Sequence, residues 1–345
     1  LLDLLAHENI ASRAPVFETY DKQVQGNTVL EAGQADAGVL KPFQGEDYPE
    51  EIQNIGVAVS LDQNPRYGLI DARLGAINAV VESFRNVATV GGSPQAVTDC
   101  LCFGNPEKEN QMGAFVEGIH GVADACKAIH LKEHPGNPVP IVAGNVSLYN
   151  ESKAGSIPPS PVIGCLGRLD DASKAVDTAF KETGSTLILI GARKDELGGS
   201  IYYDLHNELG ANVPEPDLDE VQAQIYAMVD LIDAGWVRAS HDISEGGVAV
   251  ALAEMSFPND IGFEVSIDSE LPTSRVLFSE TGGFIIEVAS EHESSVLQLL
   301  SDRELNHQRI GTTTPTQRLK INDSIDLDLS HAKERWQNGL REKLL

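Results

Sequence analysis

A change in the spacing of apolar residues near residue 69 constrains the fold of this chain more than any other feature. Before it, strand-like runs cover 28–32, 37–41 and 55–61. After it, apolar residues recur at intervals of four and three as far as residue 88, and Gly91-Gly92 supplies a helix stop. The spacing therefore predicts one long amphipathic helix over 69–90, placed after a group of strands.

The rest of the chain divides into a mixed part and an alternating part. The expected later elements are strands at 96–103, 139–143, 186–190, 237–241, 284–288 and 319–325, and helices at 111–131, 218–234, 247–255 and 292–300. Pro158, Pro159 and Pro161 indicate a change of domain. We therefore predict an α+β domain over 1–160, followed by a layered α/β domain over 161–345.

The composition excludes several classes of function. The chain has 345 residues and a formal net charge of −27, so we expect neither nucleic acid nor an anionic membrane as a partner. No apolar stretch approaches the roughly 20 residues of a membrane span. No leader opens the chain, which predicts a cytoplasmic location. Phosphates bound by so acidic a chain need Mg²⁺ or a local basic group.

The four cysteines predict no structural or catalytic role. Cys100, Cys102, Cys126 and Cys165 match neither a disulfide framework nor a zinc-binding pair. We expect them to be reduced thiols, most of them buried.

The predicted long helix carries a polar stripe beside its apolar face. Asn78, Glu82 and Asn86 follow one another at intervals of four residues, so one carboxylate and two amides line up. Oxygen ligands of these types suit Mg²⁺. The alternative interpretation is an ordinary solvated helix face.

A second acidic segment strengthens the metal interpretation. An apolar strand ends in His241-Asp242, and Gly246-Gly247 opens the next helix. A carboxylate there can meet a phosphate-bound metal, and free backbone N–H groups can face an anion. The turn Glu196 to Ser200 also resembles a phosphate-binding turn, but it fits neither common glycine pattern and is a weak signal.

Two further segments contain candidate binding residues. Asp99 interrupts a strand that otherwise reads as buried, so its carboxylate is either a structural hydrogen-bonding group or a functional one. Gly144 permits close approach to the backbone, and Asn145 and Ser147 place side-chain oxygens on one face of an extended segment. The latter segment could equally be an ordinary turn.

Taken together, these segments resemble the C-terminal half of the formylglycinamide ribonucleotide amidotransferase synthetases, members of the aminoimidazole ribonucleotide synthetase superfamily. The resemblance rests on LLAHENIAS with YDKQVQGNTV, ADAGVLK, RNVATVGGSPQAVTDCLCFGNPEK, VAGNVSLYNES, ELGGS and SHDISEGGVAVALAEM, in the family's order. It implies an α+β domain followed by an α/β domain, packed against a homologous N-terminal half about a pseudo-twofold axis.

The resemblance also implies an activity and its partners. In the family, ATP activates the amide oxygen of formylglycinamide ribonucleotide as an iminophosphate, and ammonia displaces phosphate to give the amidine. The implied cofactors are ATP and Mg²⁺. The implied partners are the N-terminal half, a glutaminase subunit that supplies ammonia and a small bridging subunit.

Individual site residues follow from the same resemblance. Four positions would face the active site: Asp99 and Gly144 as ATP contacts, Asn145 as a Mg²⁺ ligand and Ser147 as a substrate contact. Four more match an auxiliary nucleotide and Mg²⁺ site: Asp36, Glu82, Asn86 and Asp242. The family's catalytic histidines belong to the other half, so we assign no catalytic residue here.

Two departures and two rival functions accompany this interpretation. The segment Phe278 to Phe284 lacks an arginine that the family commonly carries, and 132–138 reads as a surface insertion.

One rival is a homodimeric sibling such as aminoimidazole ribonucleotide synthetase, which GNVSLYNES and TDCLCFGNPEK disfavour. The other is a non-catalytic nucleotide-binding scaffold. Motif residues from Leu1 onward, without an initiator methionine, favour a fragment of a longer polypeptide over a natural split subunit.

Overall fold

The computed structural model describes residues 1–344, and these form two large sheets and one separate two-stranded sheet, with helices between and around the large sheets. The helices are α1 Leu2–Leu5, α2 Ala14–Phe17, α3 Pro65–Ile70, α4 Ala72–Thr89, α5 Glu109–Ala128, α6 Ile201–Asp204, α7 Leu218–Asp233, α8 Gly247–Ser256, α9 Thr273–Phe278, α10 Glu293–Asp302, α11 Leu329–Gly339 and α12 Arg341–Leu344. The strands are β1 Thr28–Leu30, β2 Gly38–Leu40, β3 Gly56–Asp62, β4 Ser93–Cys102, β5 Ile141–Ser147, β6 Glu151–Ser152, β7 Gly155–Ser156, β8 Ser160–Leu169, β9 Thr186–Ile190, β10 Val237–Asp242, β11 Gly262–Val265, β12 Phe284–Val288, β13 His307–Thr314, β14 Arg318–Ile321 and β15 Ile325–Asp328.

The first sheet has the order β1-β2-β3-β8-β4-β5 and is antiparallel except between β4 and β5. The predicted long helix is present as α3 and α4, separated at Asp71, whose carboxylate caps α4 by accepting from the N–H groups of Arg73 and Leu74. The apolar stripe of α4, including the fully buried Phe84, packs on one face of this sheet. The predicted helix is therefore confirmed, with one break.

The strand β8 corrects the predicted domain boundary. It pairs with β3 on one side and β4 on the other, in the interior of the first sheet. The expected boundary between residues 160 and 161 therefore falls inside a strand, and the change of sheet comes after Leu169. Pro161 occupies a place beside Leu101 near the start of β8, so the prolines mark the entry to a strand rather than a linker.

The second sheet has the order β10-β12-β9-β13-β11-β14-β15. Its strand pairs are antiparallel except β11 with β14. The alternation of strands and helices in the sequence predicted a layered arrangement but not the directions of the strands. One face packs against α7 and α10, in the same core as α4, and the other packs against α8. The predicted α+β and α/β layers are confirmed, with α4 lying between the two sheets.

One face of the first sheet is left uncovered. Val59 on β3 lies opposite Leu166 on β8, and both side chains are nearly half exposed. Leu61, two residues further along the same face, is 73% exposed. The edge strand β5 is exposed along most of its length. A sheet face of this kind in a folded protein marks a packing surface for another element.

Candidate functional site

An acidic cluster lies where α4 meets both sheets. Asp62 is the last residue of β3, and its Oδ1 accepts a hydrogen bond from Asn86 Nδ2 on α4 at 2.8 Å. Asp242 is the last residue of β10, and its backbone N–H donates to Oδ2 of Asp36 at 3.0 Å. Glu82 lies one turn before Asn86 on α4. The structure thus brings together the four residues that the resemblance assigned to an auxiliary site, and adds Asp62.

A buried histidine connects this cluster to the second layer of helices. Nδ1 of His241 lies 2.8 Å from Oδ1 of Asp36, and Nε2 lies 3.0 Å from Oε2 of Glu254 on α8. Glu254 Oε1 accepts from the indole N–H of Trp336 at 3.0 Å. Burial opposes the charge, but the two carboxylates outweigh it and raise the pKa of His241 well above its ordinary value. His241 is therefore an imidazolium between two carboxylates.

The carboxylates of the cluster have strongly raised pKa values. Burial is the largest cause for Glu82, Asp62 and Asp242, and neighbouring carboxylates add to it. The pKa of Asp62 rises to about 8. For Glu82 the largest neighbouring contribution comes from Glu245, at the turn before α8. The positive charges of His241 and Arg85 oppose these increases but do not cancel them.

The donor atoms of the cluster fit a divalent cation. Three buried oxygens of the cluster have no hydrogen-bond partner within the described residues: Asp62 Oδ2, Asn86 Oδ1 and Asp242 Oδ2. Ligand atoms of Asp36, His241 and Asp242 also lie within 4.8 Å of one another, although His241 would have to lose a proton before it could bind a metal. Unpartnered carboxylate and amide oxygens are the groups that Mg²⁺ and Ca²⁺ select. The cluster is a candidate metal centre.

A cleft of about 570 Å³ opens onto the cluster. Asp62, Glu82 and Glu245 line its inner side, and Asn9 and Arg13 from the N-terminal segment line another. Its volume lies within the range typical of small-molecule sites. The arrangement can hold a metal on the carboxylates with a polyatomic ligand beside it.

One residue of the predicted stripe does not belong to the site. Asn78 is buried and its Nδ2 donates to the carbonyl oxygens of Leu74 and Pro214, at 2.9 and 2.7 Å. It therefore ties α4 to the loop before α7. The solvated-face alternative is also wrong, because this side of α4 is enclosed between the two units.

The predicted anion-binding turns use their N–H groups internally. Gly246 N donates to Oε1 of Glu280 at 2.9 Å, and Ile201 N donates to the same oxygen at 2.8 Å. The other oxygen of Glu280 accepts from the Tyr67 hydroxyl at 2.7 Å. The N–H groups of Gly198 and Gly199 donate to backbone carbonyls. The expectation of free N–H groups at Gly246 and in the 196–200 turn is therefore wrong.

The second group of candidates lies on the edge strand β5, divided between its two faces. Asp99 lies beside Gly144, where a Cβ would come within 2.5 Å of Asp99 Oδ1. Burial raises the pKa of Asp99. Asn145 pairs with Cys100 on the open face of the sheet, and its Nδ2 lies 3.1 Å from the Cys100 sulfur. Ser147 follows on that open face. The structure brings these residues together in two pairs rather than one cluster.

Sequence reasoning missed Asp62 and Glu280. Asp62 ends an alternating strand and lies 24 residues from Asn86, its partner. Such a contact is invisible to local patterns, although a carboxylate at the end of a strand was an available signal. None of the helices within residues 1–344 is long and apolar enough to cross a membrane.

Family models match both parts of the chain. The model for the AIR synthase related protein N-terminal domain matches residues 34–169, and the model for the C-terminal domain matches 182–324. The chain belongs to the AIR synthase related family. The segment between the two matched ranges, 170–181, follows β8, where the chain leaves the first sheet.

Curated relatives of this AIR synthase related chain are longer than the chain itself. It is 43% identical over 350 residues to phosphoribosylformylglycinamidine synthase subunit PurL of Methanothrix thermoacetophila, covering 100% of this chain and 45% of the relative. The corresponding subunit of Thermomicrobium roseum is 39% identical over 348 residues, with 99% and 45% covered. The chain spans less than half the length of these relatives.

Solved structures share the AIR synthase related fold. PurL of Thermotoga maritima complexed with FGAR has a TM-score of 0.72 and 17% identity, covering 96% of this chain and 53% of that one. The same protein complexed with ATP gives 0.67 and 18%, with 96% and 52% covered. PurLQS from Thermotoga maritima gives 0.66 and 16%, with 90% and 46% covered.

Proposed function

We propose that this chain is the C-terminal half of a phosphoribosylformylglycinamidine synthase synthetase. The observation that carries the proposal is 43% identity to such a subunit along the whole chain. The reaction would convert formylglycinamide ribonucleotide and ammonia to formylglycinamidine ribonucleotide with ATP. This identity disfavours a homodimeric sibling enzyme. Since the chain matches less than half of each relative, the active site is expected to need a second half.

The open face of the first sheet supports an N-terminal half as partner. The side chains of Val59, Leu61 and Leu166 expose apolar surface to water. Packing this surface against a second sheet would bury it, which is favourable through the hydrophobic effect. Asn145 and Ser147 lie at the edge of this same face. A composite active site at the edge would use Asn145 as a Mg²⁺ ligand and Ser147 as a substrate contact.

The other face of the edge strand would contact ATP. Gly144 has no side chain, so the neighbouring Asp99 carboxylate can lie across its backbone. We assign Asp99 and Gly144 as the ATP contacts of this half. Mg²⁺ held by Asn145 would neutralise phosphate oxygens, as in other phosphoryl transfers. No catalytic residue is assigned to this chain, and ammonia would come from a glutaminase subunit with a small bridging subunit.

The acidic cluster would be an auxiliary nucleotide and Mg²⁺ site. Asp36, Glu82, Asn86 and Asp242 would hold the metal, and Asp62 would complete the set of ligands. The supporting observation is the group of buried, unpartnered oxygens, which a bound cation would satisfy together. A role in holding the two layers together fits a site built from both sheets.

Reconstitution tests the proposed function. Ammonia- and ATP-dependent turnover of formylglycinamide ribonucleotide would be measured for the purified chain alone and after addition of the N-terminal half. Activity only on mixing is expected, with a loss of at least about 100-fold in the Asn145→Ala variant. A control is Gln337→Ala, at an exposed amide on α11 of the second unit.

The scaffold alternative predicts a different result. A non-catalytic half would bind nucleotide, but turnover by the mixture would be the same for Asn145→Ala, Ser147→Ala and the parent chain. Turnover by the chain alone would contradict the assignment of catalysis to the other half.

A further inference from the structure

Two cysteines lie side by side on the open face of the first sheet. Cys100 and Cys102 are two residues apart on β4, and side chains at this spacing along a strand point to the same face of a sheet. Their sulfur atoms are 3.5 Å apart. The sequence predicted no zinc-binding pair, because the common spacing for such a pair is Cys-x-x-Cys. In a strand, the spacing Cys-x-Cys brings two thiols together.

Polar groups on the neighbouring strands surround the pair. Nδ2 of Asn145 on β5 donates to the sulfur of Cys100 at 3.1 Å. Ser147 on β5 and Ser160 on β8 lie opposite Cys102 in the register of the sheet. A hydrogen bond donated to a sulfur atom favours its thiolate form. The pair therefore lies in a polar setting that suits a charged ligand atom.

The pair is accessible, unlike the other two thiols of the chain. Cys100 and Cys102 are half-buried, whereas Cys126 and Cys165 are buried. Burial, followed by the hydrogen bond to Cys100, raises the pKa of Cys102. The thiol of Cys102 therefore keeps its proton near neutral pH until a metal ion displaces it.

The separation of the two sulfur atoms suits a tetrahedral metal ion. Zn²⁺ binds thiolate sulfur at about 2.3 Å, so two such ligands at the tetrahedral angle are about 3.8 Å apart. The sulfurs of Cys100 and Cys102, which are 3.5 Å apart, would need to separate by only about 0.3 Å. Thiolate sulfur also selects Zn²⁺ and other soft cations over Mg²⁺.

We propose that Cys100 and Cys102 form a two-thiolate site for a thiophilic metal ion of the Zn²⁺ type. Binding displaces one proton from each thiol, so two protons are released for each ion bound. Two positions of a tetrahedral ion remain for other ligands, which water supplies in the isolated chain. The acidic cluster offers carboxylate and amide oxygens but no sulfur, so the two sites differ in the ion that they select.

Titration with Cd²⁺, a softer analogue of Zn²⁺, tests the site. The purified chain would be kept reduced with a phosphine, and the ultraviolet charge-transfer band of cadmium–thiolate bonds would be recorded. Carboxylates give no such band, so an ion on the acidic cluster does not contribute to it. One Cd²⁺ per chain is expected, and excess Zn²⁺ should remove the band. Affinity should fall at least about tenfold in Cys100→Ser and in Cys102→Ser, and the double variant should give no band.

A control variant and a second measurement accompany the titration. Thr98→Val changes an exposed residue on the same face of β4 and should bind Cd²⁺ as the parent does. Alkylation of the parent covers the case in which the cysteine variants do not fold. Zn²⁺ should protect both Cys100 and Cys102 from iodoacetamide, as located by mass spectrometry.

Three results would overturn the site. The first is the absence of a band at about 100 µM Cd²⁺, which would nearly fill a site with a Kd of roughly 10 µM. The second is a band that persists in the double variant, and the third is equal alkylation with and without Zn²⁺. Neither ATP nor the N-terminal half enters these experiments, so their failure leaves the proposed function intact.

Discussion

Oδ1 of Asp36 lies 2.8 Å from Nδ1 of His241, and this contact joins a loop of the first sheet to a strand of the second. Asp36 lies between β1 and β2, whereas His241 belongs to β10. The same Asp36 side chain accepts from the N–H of Asp242. The acidic cluster therefore forms only when the two units pack together, and its protonation is coupled to that packing.

We predict that the free energy of unfolding of the metal-free chain falls as pH rises from about 5 to about 8.5. The pKa values of Asp62 and Glu280 rise to about 8 in the folded chain, chiefly through burial, from roughly 4 in the unfolded chain. Between these values the folded chain holds more protons than the unfolded chain, so stability decreases with rising pH. His241 acts in the same direction, because its raised pKa gives stability that is lost as it deprotonates.

Thermal unfolding in EDTA at several pH values checks this dependence. Glu280→Gln should make stability fall less steeply with pH, because the glutamine side chain is neutral at every pH and does not titrate. A melting temperature that increases steadily across this range, in the absence of metal, would contradict the raised pKa values.

Sequence patterns predicted the elements whose signals are local. The helical period fixed α4, and the all-apolar runs at 186–190 and 284–288 are the buried strands β9 and β12. The prolines at the start of β8 led to a domain boundary being predicted there, because prolines commonly interrupt strands. The pairing of β8 with β3 and β4 depends on residues distant in the sequence and leaves no local signal. The polar strand β13 carries too few apolar residues in its His307–Thr314 run to be recognised.

The candidate site divides in the same way. Glu82 and Asn86 were found from their spacing on one helix, but the same spacing wrongly included Asn78. The side-chain amide of Asn78 instead donates to the carbonyl oxygen of Pro214, which is distant in the sequence. Asp62 and Glu245 join the cluster through tertiary packing. No local pattern distinguishes a glycine turn that binds an anion from one whose N–H group is taken by Glu280.

Two of the four cysteines should react with a thiol reagent in the native chain. Cys100 and Cys102 lie half-buried on the open sheet face, with their sulfur atoms 3.5 Å apart. Cys126 and Cys165 are buried, and burial raises the pKa of Cys126 to about 12 and that of Cys165 further still. Absorbance with Ellman's reagent should count two thiols in buffer and four in denaturant. Addition of the N-terminal half should protect the first two; if they remain equally reactive in an active mixture, the open face is not the interface.

Leu61→Asp should separate folding from association. Because Leu61 is 73% exposed, the substitution should change the unfolding free energy of the isolated chain by less than about 0.5 kcal/mol. It should weaken binding to the N-terminal half at least about tenfold, since a charge would be buried in an apolar interface. Val16→Asp, at a side chain 53% exposed away from the sheet, is the matched control for denaturation and for sedimentation of the mixture.

Glu82→Gln should stabilise the metal-free chain and abolish its response to Mg²⁺. Burial and the surrounding carboxylates raise the pKa of Glu82, so near neutral pH its ionised form opposes folding until a cation is bound. The neutral amide removes this repulsion, and the melting temperature in EDTA should rise by a few degrees. In the parent chain, Mg²⁺ with ATP should raise the melting temperature, because a ligand that binds only the folded state stabilises it. Glu264→Gln, which neutralises an exposed carboxylate on β11, should behave as the parent in both conditions. A Glu82→Gln chain that still gains the full stabilisation from Mg²⁺ and ATP would show that the ligand is held elsewhere.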